Sequence, residues 1–207
     1  VKRDSTAIVA CTWDTEAKRV RLVRHYIFQP SPDDPIDFEA TIEATLNDLA
    51  ARFSVQEVRF DPYQMQSTSQ RLQRAGLRMA EFPQSVPNLT EASTNLYELV
   101  KGRGIAVYRD DEIRLCVSRA IALETTRGWR IAKEKQSHKI DVVVALAMAS
   151  LGAVQQGEWK PDDIAFTPPE WSSVPRYVPG GITEYANGAN AAANPACQSA
   201  FSFSSRH

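Results

Sequence analysis

The sequence predicts a mixed α/β domain, with a two-stranded hairpin first and helices packed on the faces of the sheet that the hairpin begins. Three observations carry this. STAIVACTW (5–13) and RVRLVRHYIF (19–28) are β-rich runs joined by the short polar stretch Asp14 to Lys18, the pattern of an antiparallel pair. Beyond residue 36, short strand-like runs alternate with segments of helical spacing. Near the end, KIDVVVALAMAS (139–150) is apolar almost all round behind its first residues, as expected of a helix buried against a sheet.

The elements follow in order. In the second strand Val20, Leu22 and either His25 or Tyr26 fall on one face, and Arg19, Arg21 and Arg24 lie near the other. PSPDDP (30–35) breaks the chain. Phe38, Ile42, Leu46, Leu49 and Phe53 then recur at helical spacing. Glu57 to Phe60 is a short strand, stopped by Asp61 and Pro62. A helix over 67–75, with Leu72 inward, is closed by Gly76. Residues 77–82 form a short strand, 90–103 a helix and 105–108 a brief strand. Asp110 to Glu124 reads as one helix with an acid at its start. Residues 128–132 read as a strand and 139–155 as the last helix.

From Gly157 onward Pro, Gly, Asn, Ala and Ser dominate. We therefore expect a folded domain over 1–156 and a tail over 157–207, partly ordered at first and disordered beyond about Val178. Hydrophobic residues at 43% and charged residues at 24% are ordinary for a globular chain. With 24 basic against 25 acidic residues, any nucleic-acid surface has to be a local patch. The scattered Cys11, Cys116 and Cys197 form no zinc pattern and read as reduced thiols. The apolar run at 142–148 is far short of the ~20 residues that span a bilayer, so no membrane partner is expected.

Two acids stand where chemistry could use them. Asp61 ends a strand, and in open α/β sheets the carboxyl edge is where ligands bind. By itself an Asp-Pro after a strand is more economically a turn. Asp141 opens the apolar helix, where an acid also suits the helix dipole by ~0.3–1 kcal/mol. Together, however, two such carboxylates can converge on a divalent cation. Mg²⁺ takes hard oxygen ligands, commonly one or two carboxylates with water and phosphate oxygens. Two metals ~3.5–4 Å apart clamp the attacking and leaving oxygens of a phosphodiester. Such a site normally uses a third acid as well.

DSTAIVA near the start, RFDPYQ in the middle, FPQS followed by LTEAS, and KIDVVVALAMA near the end occur in that order. This ordered set resembles the nuclease domain of phage large terminase subunits over residues 1–156. The resemblance implies a ribonuclease H-like fold: a mixed sheet with helices on both faces, its first strand truncated in this chain. It implies a metal-dependent endonuclease that uses Mg²⁺ or Mn²⁺ and cuts concatemeric double-stranded DNA by two-metal hydrolysis. Asp61 matches the family's acid after the central strand, and Asp141 the acid that opens the last helix. The family's remaining acid lies just before the DSTAIVA-like segment, which places it upstream of Val1. Asp4 matches the acid that starts the second strand and is a third catalytic candidate. Gln84 and Lys139 also match family positions.

The family's hairpin or loop beside the active site corresponds to residues 127–139. Arg127, Arg130, Lys133, Lys135, His138 and Lys139 lie there. Basic groups so placed would hold DNA by its backbone and read no sequence. Without the resemblance the same residues are a solvated charge run, broken by Glu134. The implied partners are double-stranded DNA, the ATPase domain of the same subunit, the portal and the small terminase. The implied location is the host cytoplasm. No GxxxxGK[ST] loop occurs, so this chain carries no packaging ATPase motif. Two alternatives remain: a resolvase- or transposase-type nuclease on the same fold, and a catalytically incomplete DNA-binding or docking module.

Overall fold

The computed structural model describes residues 5–31, 36–63, 65–126, 128–135, 138–157, 175–178, 181–185 and 198–205. Strands β1 (Thr6–Asp14) and β2 (Arg19–Phe28) form the expected antiparallel hairpin. Its turn is pinned by Asp14. One carboxylate oxygen accepts the Ala17 N–H at 2.9 Å, and the other pairs with the Arg21 guanidinium. The Ala17 N–H, with the charge of Arg21 behind it, holds the Asp14 carboxyl below the usual range although burial opposes this.

A π-helical turn, Glu39–Glu43, leads into α1 (Ala44–Arg52). Then come β3 (Val55–Phe60), α2 (Gln66–Arg74), β4 (Met79–Glu81), α3 (Val86–Lys101) and β5 (Ile105–Ala106). The Ser85 hydroxyl caps α3 by accepting the Asn88 N–H, with Pro87 in the first turn. Next are α4 (Asp111–Ser118), β6 (Ala120–Thr125), β7 (Gly128–Lys133) and α5 (Asp141–Gly157). The last described elements are β8 (Pro175–Val178), β9 (Gly181–Tyr185) and β10 (Gln198–Ser205).

The main sheet has the order β4-β3-β10-β1-β2-β5. Strand alternation sends side chains to two faces, and each face is covered by helices. Ala7, Val9 and Cys11 of β1 pack with Val20 and Leu22 against α3, α4 and α5. Ile8 and Ala10 pack with Val58 and Phe60 of β3 against Ile42, Leu46, Leu49 and Leu72. Helix α5 is buried from Asp141 through Ala153, which accounts for its nearly unbroken apolar sequence.

Two features depart from the sequence reading, and a third settles a choice it left open. The helix expected over 110–124 stops at Ser118, and Ala120–Thr125 pairs antiparallel with β7. Leu, Ala and Glu are good helix formers, so the local signal favours helix; pairing with β7 overrides it. The hairpin is tied down at its base, where the Glu134 N–H meets the Arg119 carbonyl at 3.0 Å. It is also docked on α3, where the Trp129 N–H donates to Thr94 Oγ1 at 2.8 Å and the Ile131 N–H to Ser93 Oγ at 3.1 Å. Gly128 sits there at φ +127°, and a Cβ on it would collide with Thr94 Oγ1, so only glycine fits.

The choice left open is in β2, between His25 and Tyr26 for the face of Val20 and Leu22. A register shift opposite Ala10 and Cys11 puts His25 on the α5 face, opposite Val9, where it is fully buried. Its Nδ1 is hydrogen-bonded to the Tyr108 hydroxyl, and its Nε2 lies 3.6 Å from Asp110 Oδ1. Asp110 in turn caps α4 by accepting the Ile113 N–H at 2.9 Å. Burial lowers the His25 pKa from 6.5 against the opposing pull of Asp110. A depressed pKa means that the unfolded chain binds the proton more readily, so stability is whole above pH 6.5 and falls as pH drops below it. Denaturant unfolding between pH 8 and 5 should show this loss, and His25→Gln should flatten it. An unchanged slope in the variant would contradict the assignment.

The second departure concerns the described residues of 157–207. Where the sequence reads as a tail, the structure has β8 and β9 paired antiparallel and β10 inside the main sheet. Strand β10 runs antiparallel to β1 and parallel to β3.

Candidate metal centre

The two acids chosen from sequence stand along the same sheet edge. Strand β3 ends at Phe60, which is level with Phe203 of β10, and Ser205 of β10 is level with Thr6 of β1. The carboxyl end of β3 and the amino end of β1 therefore share an edge, with β10 between them. Two inter-strand spacings of about 4.8 Å separate the β3 and β1 backbones there. Val58 and Phe60 face α1 and α2, so alternation turns position 61 toward the α5 face. Arg59, two positions before it, already bonds Gln155 of α5 at 2.5 Å.

Asp141 comes to the same edge from above. Ser5, the residue before β1, donates its hydroxyl to Asp141 Oδ2. Both acids are nearly covered: Asp61 is 8% exposed and Asp141 2%. Asp61 Oδ1 also accepts the Tyr63 N–H at 3.2 Å, the turn contact that Asp-Pro favours. The turn role and the rim position are thus compatible, since the bond fixes one oxygen and leaves the carboxylate aimed by its own backbone. Behind Asp141, the fully buried Ile140, Ala145, Met148 and Ala149 hold α5 on the sheet.

Other expected residues divide. Gln84 is half-buried just past β4, on the same carboxyl edge as Asp61. Lys139 and His138 are half-buried in the segment that leads into Asp141, and His138 Nδ1 lies 3.7 Å from Glu134 Oε2. Lys135 is exposed in that segment. Arg130 and Lys133 stand on β7, Arg130 exposed and Lys133 half-buried. Asp4 and Arg127 lie outside the described residues.

Sequence reading of the site left out Ser5 and any part for α4, although it expected that helix. Ser5 lies inside DSTAIVA, so its motif was visible but its contact with Asp141 was not. Burial, helped by the charge of Glu112, pushes the Cys116 thiol up to about 11, and the charge of Asp141 adds to this across the packed helices. Glu112 is half-buried and bonded to Gln29, with its carboxyl raised by burial and then by Asp110. Among the described residues no group of three His, Cys, Asp or Glu side chains is placed to hold a metal ion. The donor chemistry at the rim nonetheless suits a hard divalent cation, with two carboxylates leaving room for water and phosphate oxygens.

A family model described as terminase large subunit, endonuclease domain, matches residues 33–158, more than half of the chain. The chain belongs to this terminase nuclease family. Solved terminase structures share its fold. The large terminase of bacteriophage HK97 aligns with a TM-score of 0.62 at 18% identity, covering 73% of this chain and 37% of the HK97 chain. The terminase nuclease of thermophilic phage G20c aligns at 0.56 and 17% identity, covering 71% and 74%. The nuclease domain of Thermus phage P74-26 aligns at 0.55 and 18% identity, covering 80% and 78%. A further structure of the G20c nuclease contains bound magnesium. This terminase nuclease domain therefore spans little more than a third of the HK97 chain. It has the ribonuclease H-like fold expected from its motifs. None of the curated proteins compared with it matches. No described helix is long and apolar enough to cross a membrane.

Proposed function

We propose that this terminase nuclease domain is a divalent-metal-dependent endonuclease acting on double-stranded DNA, with Asp61 and Asp141 as its metal-holding and catalytic pair. One observation carries the reading: two acids far apart in sequence are delivered to one sheet edge, one by a strand end and one by a buried helix start. Asp61 and Asp141 would hold Mg²⁺ or Mn²⁺. When bound, such a cation supplies Lewis acidity, neutralising charge on the phosphate and lowering the pKa of water. The chain's own contribution is positional. Pro62 and the Tyr63 N–H fix Asp61, Ser5 orients Asp141, and the α5 packing keeps the Asp141 carboxylate from drifting. Whether one metal or two is held, the pair sets the rim's negative charge.

Lys139, His138 and Lys135, close in sequence to Asp141, and Arg130 and Lys133 on the hairpin would contact the DNA backbone. Asp4 and Arg127 remain proposed parts of the same site. By family membership, the substrate would be concatemeric viral DNA in the host cytoplasm. The ATPase part of the same subunit, the portal and the small terminase would be the partners. Linearisation of supercoiled plasmid in Mn²⁺ or Mg²⁺, stopped by chelator, tests the activity. Cleavage undiminished in excess chelator would overturn it. Preferential cutting of four-way junctions over linear duplex would move the assignment to a resolvase-type nuclease.

A further inference from the structure

The β6–β7 hairpin is guarded along one edge and open along the other. The Glu134 N–H bonds the Arg119 carbonyl, in line with the register of the hairpin. Bonded and non-bonded pairs alternate in an antiparallel ladder. Arg119, Ile121, Leu123 and Thr125 therefore turn their backbone groups to β7, and Ala120, Ala122 and Glu124 turn theirs outward. By the same alternation Trp129 and Ile131 turn theirs to the far side of β7. There Thr94 and Ser93 of α3 accept both N–H groups. Among the described residues nothing does this for β6, whose strand partner is β7 alone.

The open edge is also apolar. Strand β6 reads AIALET and is exposed from Ile121 to Thr125. Ile121 is 39% exposed and Leu123 45%, two positions apart and so on one face. Leu115 and Val117 of α4, the element before it, are exposed as well. Four of the eight large hydrophobic side chains exposed among the described residues thus lie between 115 and 123, which makes a patch rather than a scatter. Sheet edges are commonly guarded by lysine, proline or a bulge. Strand β6 has none of these, so it is an edge built to take another strand.

We propose that β6 pairs with β6 of a second copy of this chain, antiparallel and centred on Ala122. A two-fold axis there sets Ile121 opposite Leu123 of the second copy, and Ala120 opposite its Glu124. The outward backbone groups of Ala120, Ala122 and Glu124 then bond one another. The Ile121–Leu123 pair occurs twice, side by side on the outer face. Charge selects the same register. Lys133 lies beside Ala120 in the hairpin, so Lys133, Ala120 and Glu124 of the second copy share one row. The small alanine leaves room for the lysine to reach that carboxylate. Within its own chain Glu124 stands beside Trp129, not beside a cation. Centring on Leu123 instead would bring the two Arg130 side chains into one row, where like charges repel. In the proposed pair Lys133 is drawn to the second copy, and Arg130, on the outer face with Leu123, stays available to DNA. The interface is isologous. It does not rest on the metal-centre reading, although two centres in one pair would suit a substrate with two strands to cut.

Sedimentation of the full chain over about a hundredfold range of concentration should show a monomer–dimer equilibrium. Ala122→Pro removes one outward N–H and leaves the bonds to β7 in place, as proline on an edge strand does. It should unfold like the parent and sediment as a monomer. Two charge variants give an independent arm. Glu124→Lys and Lys133→Glu should each weaken the dimer about threefold or more. An equimolar mixture of the two should regain the parent's association, because each altered charge then meets its opposite. Should Ala122→Pro fail to fold, recovery in this mixture decides the matter alone. A chain that stays monomeric at every concentration overturns the second copy as occupant and leaves the edge to an extended segment of another protein. A dimer that survives Ala122→Pro overturns β6 as the interface. A mixture no tighter than either charge variant by itself overturns the register.

Discussion

Asp61→Asn and Asp141→Asn each reduce divalent-dependent cleavage by at least about 10²–10³-fold, or roughly 3–4 kcal/mol of transition-state stabilisation. Asparagine keeps the size of the side chain and can keep its local bonds. It can still accept the Tyr63 N–H at position 61 and the Ser5 hydroxyl at position 141. What it removes is the negative charge, so the loss reads metal holding and charge rather than folding. Unfolding curves of the two variants should lie close to the parent, because side-chain volume and these local bonds are retained. A plasmid-cleavage rate within about threefold of the parent for either variant would exclude that residue from the centre.

Phe60→Ala is expected to cost about 3–5 kcal/mol of stability. Phe60 is 1% exposed and lies in the cluster with Ile8, Ile42, Met65 and Leu72. Truncation removes the aromatic ring and leaves a void between the sheet and α1 and α2, in a region too close-packed to refill it. The position also has a functional edge. Phe60 is the residue before Asp61, and its carbonyl accepts the Phe82 N–H at 2.7 Å, tying the end of β3 to the chain beyond β4. Loss of the ring loosens the strand end that aims Asp61. The variant should therefore lose cleavage rate beyond what its unfolded fraction explains, whereas Phe60→Leu should cost less than about 1.5 kcal/mol and retain most activity. Denaturant unfolding monitored alongside cleavage checks both; a cost under about 1 kcal/mol for Phe60→Ala would contradict the packing described.

The parts of this fold that the sequence shows are those with strong local signals. The β1–β2 hairpin is visible in its two β-rich runs, α5 in its apolar length, and the end of β3 in Asp61-Pro62. The ordered motifs point to the terminase nuclease family, and the family model bears this out. The candidate site is legible as far as two acids at the ends of elements, though their standing along one edge is a matter of strand order. Three things depend on distant partners and were not legible. Residues 120–125 have the composition of a helix and become a strand because β7 lies beside them. The network of buried His25 with half-buried Tyr108 and Asp110 depends on a register shift in β2 that no period reveals. Strand β10 is written QSAFSFSS inside a stretch rich in Ala, Asn and Ser. Its strand state comes from the two edges it pairs with, not from its own propensity.

The central claim is that Asp61 and Asp141 act as one cation-holding pair. Calorimetric Mn²⁺ titration of the parent, Asp61→Asn, Asp141→Asn and the double variant tests it most directly. A shared centre predicts that each single substitution weakens binding by about tenfold or more, and that the double variant is scarcely worse than the weaker single, because the pair is already broken. Parent-like Mn²⁺ affinity in either single variant, or strictly additive losses in the double, would contradict a shared centre.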